Sequence, residues 1–78
     1  MMDAGQYCTV TTLMFSKPGF NPMINTTVHD LVTVPEEGMS RTSLTRVVLE
    51  RAERAAREAT NVLPHISYSV IFLSIEPD

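Results

Sequence analysis

Hydrophobic and polar positions alternate, bunch and recur along this chain in three distinct ways. The stretch Tyr7-Cys8-Thr9-Val10-Thr11-Thr12-Leu13-Met14-Phe15 is dense in β-branched and aromatic residues. Such residues suit a pleated, half-buried surface, so the stretch predicts a strand. From Ile24 to Val34 the period is two: Ile24, Thr26, Val28, Asp30, Val32 and Val34 share one face, and Asn25, Thr27, His29, Leu31 and Thr33 the other. That alternation predicts a second strand with one apolar side. Asp30 is the exception on that side and is expected to mark a bulge, a bend or a break. Between the two strands, Ser16-Lys17-Pro18-Gly19-Phe20-Asn21-Pro22 reads as a loop, because proline fixes φ and cannot donate to a ladder.

After the turn Pro35-Glu36-Glu37-Gly38 the period changes to that of a helix. Leu44, Val48, Ala52, Ala55 and Ala59 form the apolar stripe, flanked by Val47 and Ala56. Ser40 suits the N-cap, since its hydroxyl can accept from an orphan backbone N–H. Met39 and Leu44 then occupy the staple positions, which favours this start over Ser43. The opposite side carries Arg46, Glu50, Glu53, Arg54, Arg57 and Glu58, with Glu50–Arg54 and Glu53–Arg57 in the favourable acid-first i,i+4 order. Asn61 can take the left-handed capping conformation and Pro64 stops the helix.

The last segment, Ser67 to Ile75, predicts a third strand. Strict alternation gives it one side of Tyr68, Val70, Phe72 and Ser74 and another of Ser69, Ile71, Leu73 and Ile75. Both sides are largely apolar, which is the mark of a strand buried on both faces. The expected fold is therefore α+β, a ββαβ chain with a three-stranded mixed sheet and one helix on one face. The helical crossover makes the third strand parallel to the second. Its place beside the first or the second strand stays open. Residues 1–6 are expected to be a flexible N-terminus, with 7–78 as a single domain.

Size sharpens the question of that second apolar face. A chain of 78 residues buries only about 60% of the surface it exposes when unfolded. Domains this small recruit disulfides, metals or self-association. Cys8 is the only cysteine and has no intramolecular partner, and no pair of Cys or His has zinc-finger spacing. Self-association is left. One helix covers one face, so Ile71, Leu73 and Ile75 are candidates for contact with a second copy or another protein. The alternative is that the 16–23 loop, with Phe20 and Met23, folds under the sheet. The proline-stiffened loop also offers Lys17 and Phe20 as partner contacts, because rigid aromatic anchors dominate interfaces.

Charge and chemistry add less. Five arginines against three glutamates leave the helical region at +2, while one lysine against six acids leaves the remainder at −5, for a total of −3. The interleaved acids neutralise the arginines in place, which argues against phosphate-backbone binding. A nucleic-acid regulator using the helix is the alternative function, and Arg46 and Arg57 are candidates for an acidic protein patch. Cys8 has no glycine elbow, helix N-terminus or basic neighbour to activate it. His29 and Asp30 are adjacent in a strand and point to opposite faces. A third reading, a site built at a dimer interface from Cys8, His29 and His65, needs those side chains brought together. Gly5, Gly19 and Gly38 form no phosphate cradle, and no cofactor is expected. The polar start does not read as a signal peptide and the longest apolar run is far short of the ~20 residues of a membrane span. With a lone cysteine suited to a reducing compartment, a cytoplasmic location is expected.

The pattern Val70-Ile71-Phe72-Leu73-Ser74-Ile75-Glu76-Pro77-Asp78, preceded by an Arg/Ala-rich helix, resembles small proteins without assigned function from actinobacteria and their phages. They share an apolar final strand ending in Ser-x-Glu-Pro. The resemblance covers about the last half of the chain and implies a phage or prophage accessory protein, with no activity and no functional residue attached. The expectation is a non-enzymatic, homo-oligomeric protein that binds or modulates another protein.

Overall fold

A computed structural model describes residues 1–16, 24–61 and 66–78. The order is β1 (Gly5–Ser16), β2 (Ile24–Val34), α1 (Arg41–Thr60) and β3 (Ser67–Pro77), the ββαβ arrangement of an α+β fold. β1 lies in the middle of a three-stranded sheet ordered β2-β1-β3. Both neighbours run antiparallel to β1. β3 is thus parallel to β2, as the crossover requires, but the two do not touch. Where a mixed sheet was expected, every hydrogen-bonded pair is antiparallel, because β1 separates the two parallel strands.

The chain's start is tied in. β1 already begins at Gly5, and Met2 forms a two-hydrogen-bond bridge with Met39, at 2.7 and 3.2 Å. Gly38 closes the preceding turn onto the Pro35 carbonyl at 2.9 Å. Its φ of 81° and the approach of the Met2 carbonyl oxygen, 3.1 Å from where a Cβ would sit, both favour glycine.

Helix α1 starts and stops where its sequence signals lie. The Ser40 hydroxyl accepts from the Ser43 N–H at 3.1 Å. Asn61 takes the left-handed conformation at φ 58°. The buried stripe is Leu44, Val48, Ala52 and Ala56, a strict i,i+4 row. Ala55 and Ala59 are exposed, because i,i+4 rows run obliquely to the helix axis and this row follows the sheet below.

That row packs on β1 and β2. Tyr7, Thr9, Thr11, Leu13 and Phe15, alternate residues of β1, are all buried beneath it. The interior divides into two apolar clusters. One joins Tyr7, Val32, Val34, Leu44 and Val48, and the other joins Leu13, Phe15, Ala52, Ala56 and Ile66. Between them lie the buried threonines Thr9 and Thr11. Thr9 donates to the Asp30 carbonyl at 3.4 Å, while the Thr11 hydroxyl has no hydrogen-bond partner among the described residues. Among the described residues no helix is long and apolar enough to cross a membrane.

Candidate interaction surface

Asp30, the anomaly of β2, makes no bulge: β2 pairs with β1 in unbroken register. Its carboxylate instead accepts two hydrogen bonds from Arg51, at 2.8 and 3.1 Å, and one from the Leu31 N–H at 2.8 Å. A helix residue 21 positions away thus satisfies the charge that interrupts the apolar row. The groove between β2 and α1 is lined by His29, Asp30, Arg51, Arg54 and Glu58. Charge of this kind along a sheet edge discourages pairing with another chain.

The bulge lies in β3. Thr12 is opposite Phe72 and Leu13 is opposite Val70, so Ile71 is an extra residue in the ladder. Beyond it the phase of the strand shifts by one. Tyr68 and Val70 fall on the helix side, in register with Phe15 and Leu13, and so do Leu73 and Ile75, in register with Thr11 and Thr9. Phe72, Ser74 and Glu76 fall on the outer side with Ser69. The expected division into Tyr68-Val70-Phe72-Ser74 against Ser69-Ile71-Leu73-Ile75 is therefore corrected: the inserted residue breaks the alternation midway.

The consequence for exposure is uneven. Leu73 and Ile75 pack against the Tyr7–Val48 cluster and are half-buried. They belong to the chain's own interior rather than to a free second face. Ile71 stays an open candidate, 53% exposed, and is joined by two neighbours the alternation did not single out, Val70 at 42% and Phe72 at 53%. Three consecutive half-exposed apolar residues thus occupy the middle of an edge strand. α1 does not shelter them, since its backbone packs on β1 and β2 only. From Ser67 to Ile75 the strand holds no charge and no proline, so the bulge at Ile71 is the one usual edge-blunting device within that stretch. The outer face of the other strands is less apolar. There Val10, Met14 and Leu31 alternate with Thr12, Asn25, Thr27 and His29, and Thr12 bonds Thr27 at 2.9 Å. Such a face tolerates water.

The remaining candidates disperse. Lys17, Phe20 and His65 lie outside the described residues. Arg46 is exposed on α1, whose backbone does not reach β3. Arg57 is turned inward: Nε donates to Glu53 at 2.8 Å, Nη2 to the Ile66 carbonyl at 2.9 Å, and the guanidinium lies 5.2 Å from the Phe15 ring centroid and 5.8 Å from that of Tyr68. It is a clamp within the chain. Phe15 and Tyr68 meet edge to face at 6.1 Å. Burial, together with the charge and hydrogen bond of Glu53, pushes the Tyr68 hydroxyl above its ordinary pKa, with Arg57 opposing.

Cys8 is exposed on the outer face, where its thiol donates to Asp78 at 3.3 Å. That hydrogen bond, desolvation and the negative charges of Asp78 and Glu76 push the thiol pKa up. A nucleophilic cysteine needs the reverse. His29 shares the outer face, but the thiol's partner is a carboxylate. Among the described residues no group of three or more His, Cys, Asp or Glu could hold a metal ion. No protein-family profile, curated protein or solved structure matches the chain.

Proposed function

We propose that this chain is a small non-enzymatic binding protein that self-associates and holds protein surface through the open edge of β3. The observation that carries the reading is the half-exposed run Val70-Ile71-Phe72 at the centre of an uncharged edge strand. Fully burying one such side chain contributes ~1.5–3 kcal/mol, so burying the exposed half of three residues on each of two copies would contribute at most roughly 5–9 kcal/mol, an upper bound for contact along an edge. Association itself costs about 4–15 kcal/mol. The two are of similar size, which makes the interaction concentration-dependent and reversible. Against the nucleic-acid alternative, Arg51 and Arg57 are held by acids of the same chain.

Light scattering across micromolar concentrations tests the proposal. The expected mass rises from that of one 8.7 kDa chain toward twice that value, and Ile71→Lys returns it to one. A mass of one chain up to roughly a hundred micromolar, where even weak specific pairs form, would remove the self-associating reading.

A further inference from the structure

We infer that this self-association, which rests on the reading above, is a two-fold antiparallel pairing of β3 with the β3 of a second copy. The argument is the symmetry of the strand's own pattern. In an antiparallel ladder, residues directly opposite each other share a face. A two-fold axis between Ile71 and Phe72 sets Val70 opposite Leu73 of the other copy, Ser69 opposite Ser74, Tyr68 opposite Ile75, and Ser67 opposite Glu76. Read outward from that point, Ile71-Val70-Ser69-Tyr68-Ser67 and Phe72-Leu73-Ser74-Ile75-Glu76 have the same order of apolar and polar residues. Every flanking pair also matches in face. The helix-side residues Tyr68, Val70, Leu73 and Ile75 meet one another, and the outer residues Ser67, Ser69, Ser74 and Glu76 meet one another.

The bulge at Ile71 is what brings the two halves into this phase. Moving the axis onto Ile71 or Phe72 sets helix-side residues against outer ones. Moving it one position toward the N-terminus keeps the faces but puts Phe72 opposite Ser69. Moving it one position toward the C-terminus puts Phe72 opposite Leu73, on the wrong face. Charge selects the same direction. Antiparallel pairing keeps the two Glu76 carboxylates at opposite ends, whereas in-register parallel pairing lays them side by side, which is destabilising. An isologous two-fold contact also requires one patch to complement itself, as this one does. The product is one six-stranded sheet, β2-β1-β3-β3-β1-β2, with both helices on the same side. Each helix sits over β1 and β2, so the helices stay clear of the new seam.

Nitroxide labels in a Cys8→Ser background test the arrangement. A mixture of Ser69→Cys-labelled and Ser74→Cys-labelled copies should show strong dipolar broadening, because those residues sit about 5 Å apart across the seam. Copies labelled only at Ser67→Cys should give a distance of ~27 Å, about eight ladder steps of ~3.4 Å each, because the inserted Ile71 adds a residue but no step. A doubled mass without the Ser69–Ser74 broadening would overturn the edge pairing while leaving self-association in place. A single-chain mass at all concentrations would overturn both.

Discussion

Replacing Arg57 with alanine should unfasten the end of α1 from the start of β3. Ile66 and Tyr68 already pack on the cluster that contains Ala52 and Ala56, and this side chain adds the polar part of the link. It donates to the Ile66 carbonyl at 2.9 Å, and a hydrogen bond from a charged donor contributes ~1.5–3 kcal/mol. The i,i+4 pair with Glu53 adds about 0.3–0.5 kcal/mol, and each guanidinium–ring contact, with Phe15 and Tyr68, about 0.5–1 kcal/mol. These contributions share one side chain and are not additive, which puts the loss near 3 kcal/mol. Domains of this size are held by about 0.05–0.15 kcal/mol per residue, so the loss is a large share of the whole. At about 4–8 °C per kcal/mol, the midpoint should fall by roughly 12–24 °C. Arg57→Lys keeps the charge but cannot hold Glu53, the carbonyl and two ring faces at once. It should lose about half as much. Urea and thermal unfolding followed by circular dichroism, at one low protein concentration so that self-association does not shift the equilibrium, would give both values. An alanine variant within about 0.5 kcal/mol of the parent, or a lysine variant equal to it, would refute the clamp, since that is the scatter of ordinary surface substitutions.

Two further outcomes follow from the titrating groups. Tyr68 has a folded-state pKa raised above its ordinary 10.0, so the protonated hydroxyl is the favoured form. The stability it contributes is fully present below pH 10, is lost as pH rises through the higher folded value, and disappears from the difference in Tyr68→Phe; urea midpoints across the alkaline range measure it. The Cys8 thiol should react slowly with a disulfide reagent at mildly alkaline pH despite its exposure, and Asp78→Asn should speed the reaction by lowering the raised pKa. An unchanged rate in that variant would remove the Asp78 hydrogen bond from the account.

Much of the fold was legible because local signals coincided with tertiary ones. The period-two row from Ile24 to Val34 matches β2 residue for residue, and Ser40 and Asn61 bound α1 through their own cap chemistry. The third strand was legible as a strand but not in its facing. One inserted residue reverses every later position, and Ile71 differs from its apolar neighbours in nothing the sequence displays. Hence Leu73 and Ile75 turned out half-buried, with Val70 and Phe72 in the open. Asp30 was visible as an intruder on an apolar row, yet its partner lies 21 residues on, beyond any local rule. Arg57 is the converse case. Its pairing with Glu53 follows from spacing alone, while its contacts with Phe15, Ile66 and Tyr68 depend on where β3 returns.

Thr9 and Thr11 leave α1 without one continuous oily floor. The helix rests on two separate footings, one built on Leu44 and Val48 and the other on Ala52 and Ala56. Loosening at one footing exposes its own side chains and costs the other few apolar contacts. The alanine footing offers the smaller side chains and relies on a polar fastening, so it is the end from which the protein should come apart.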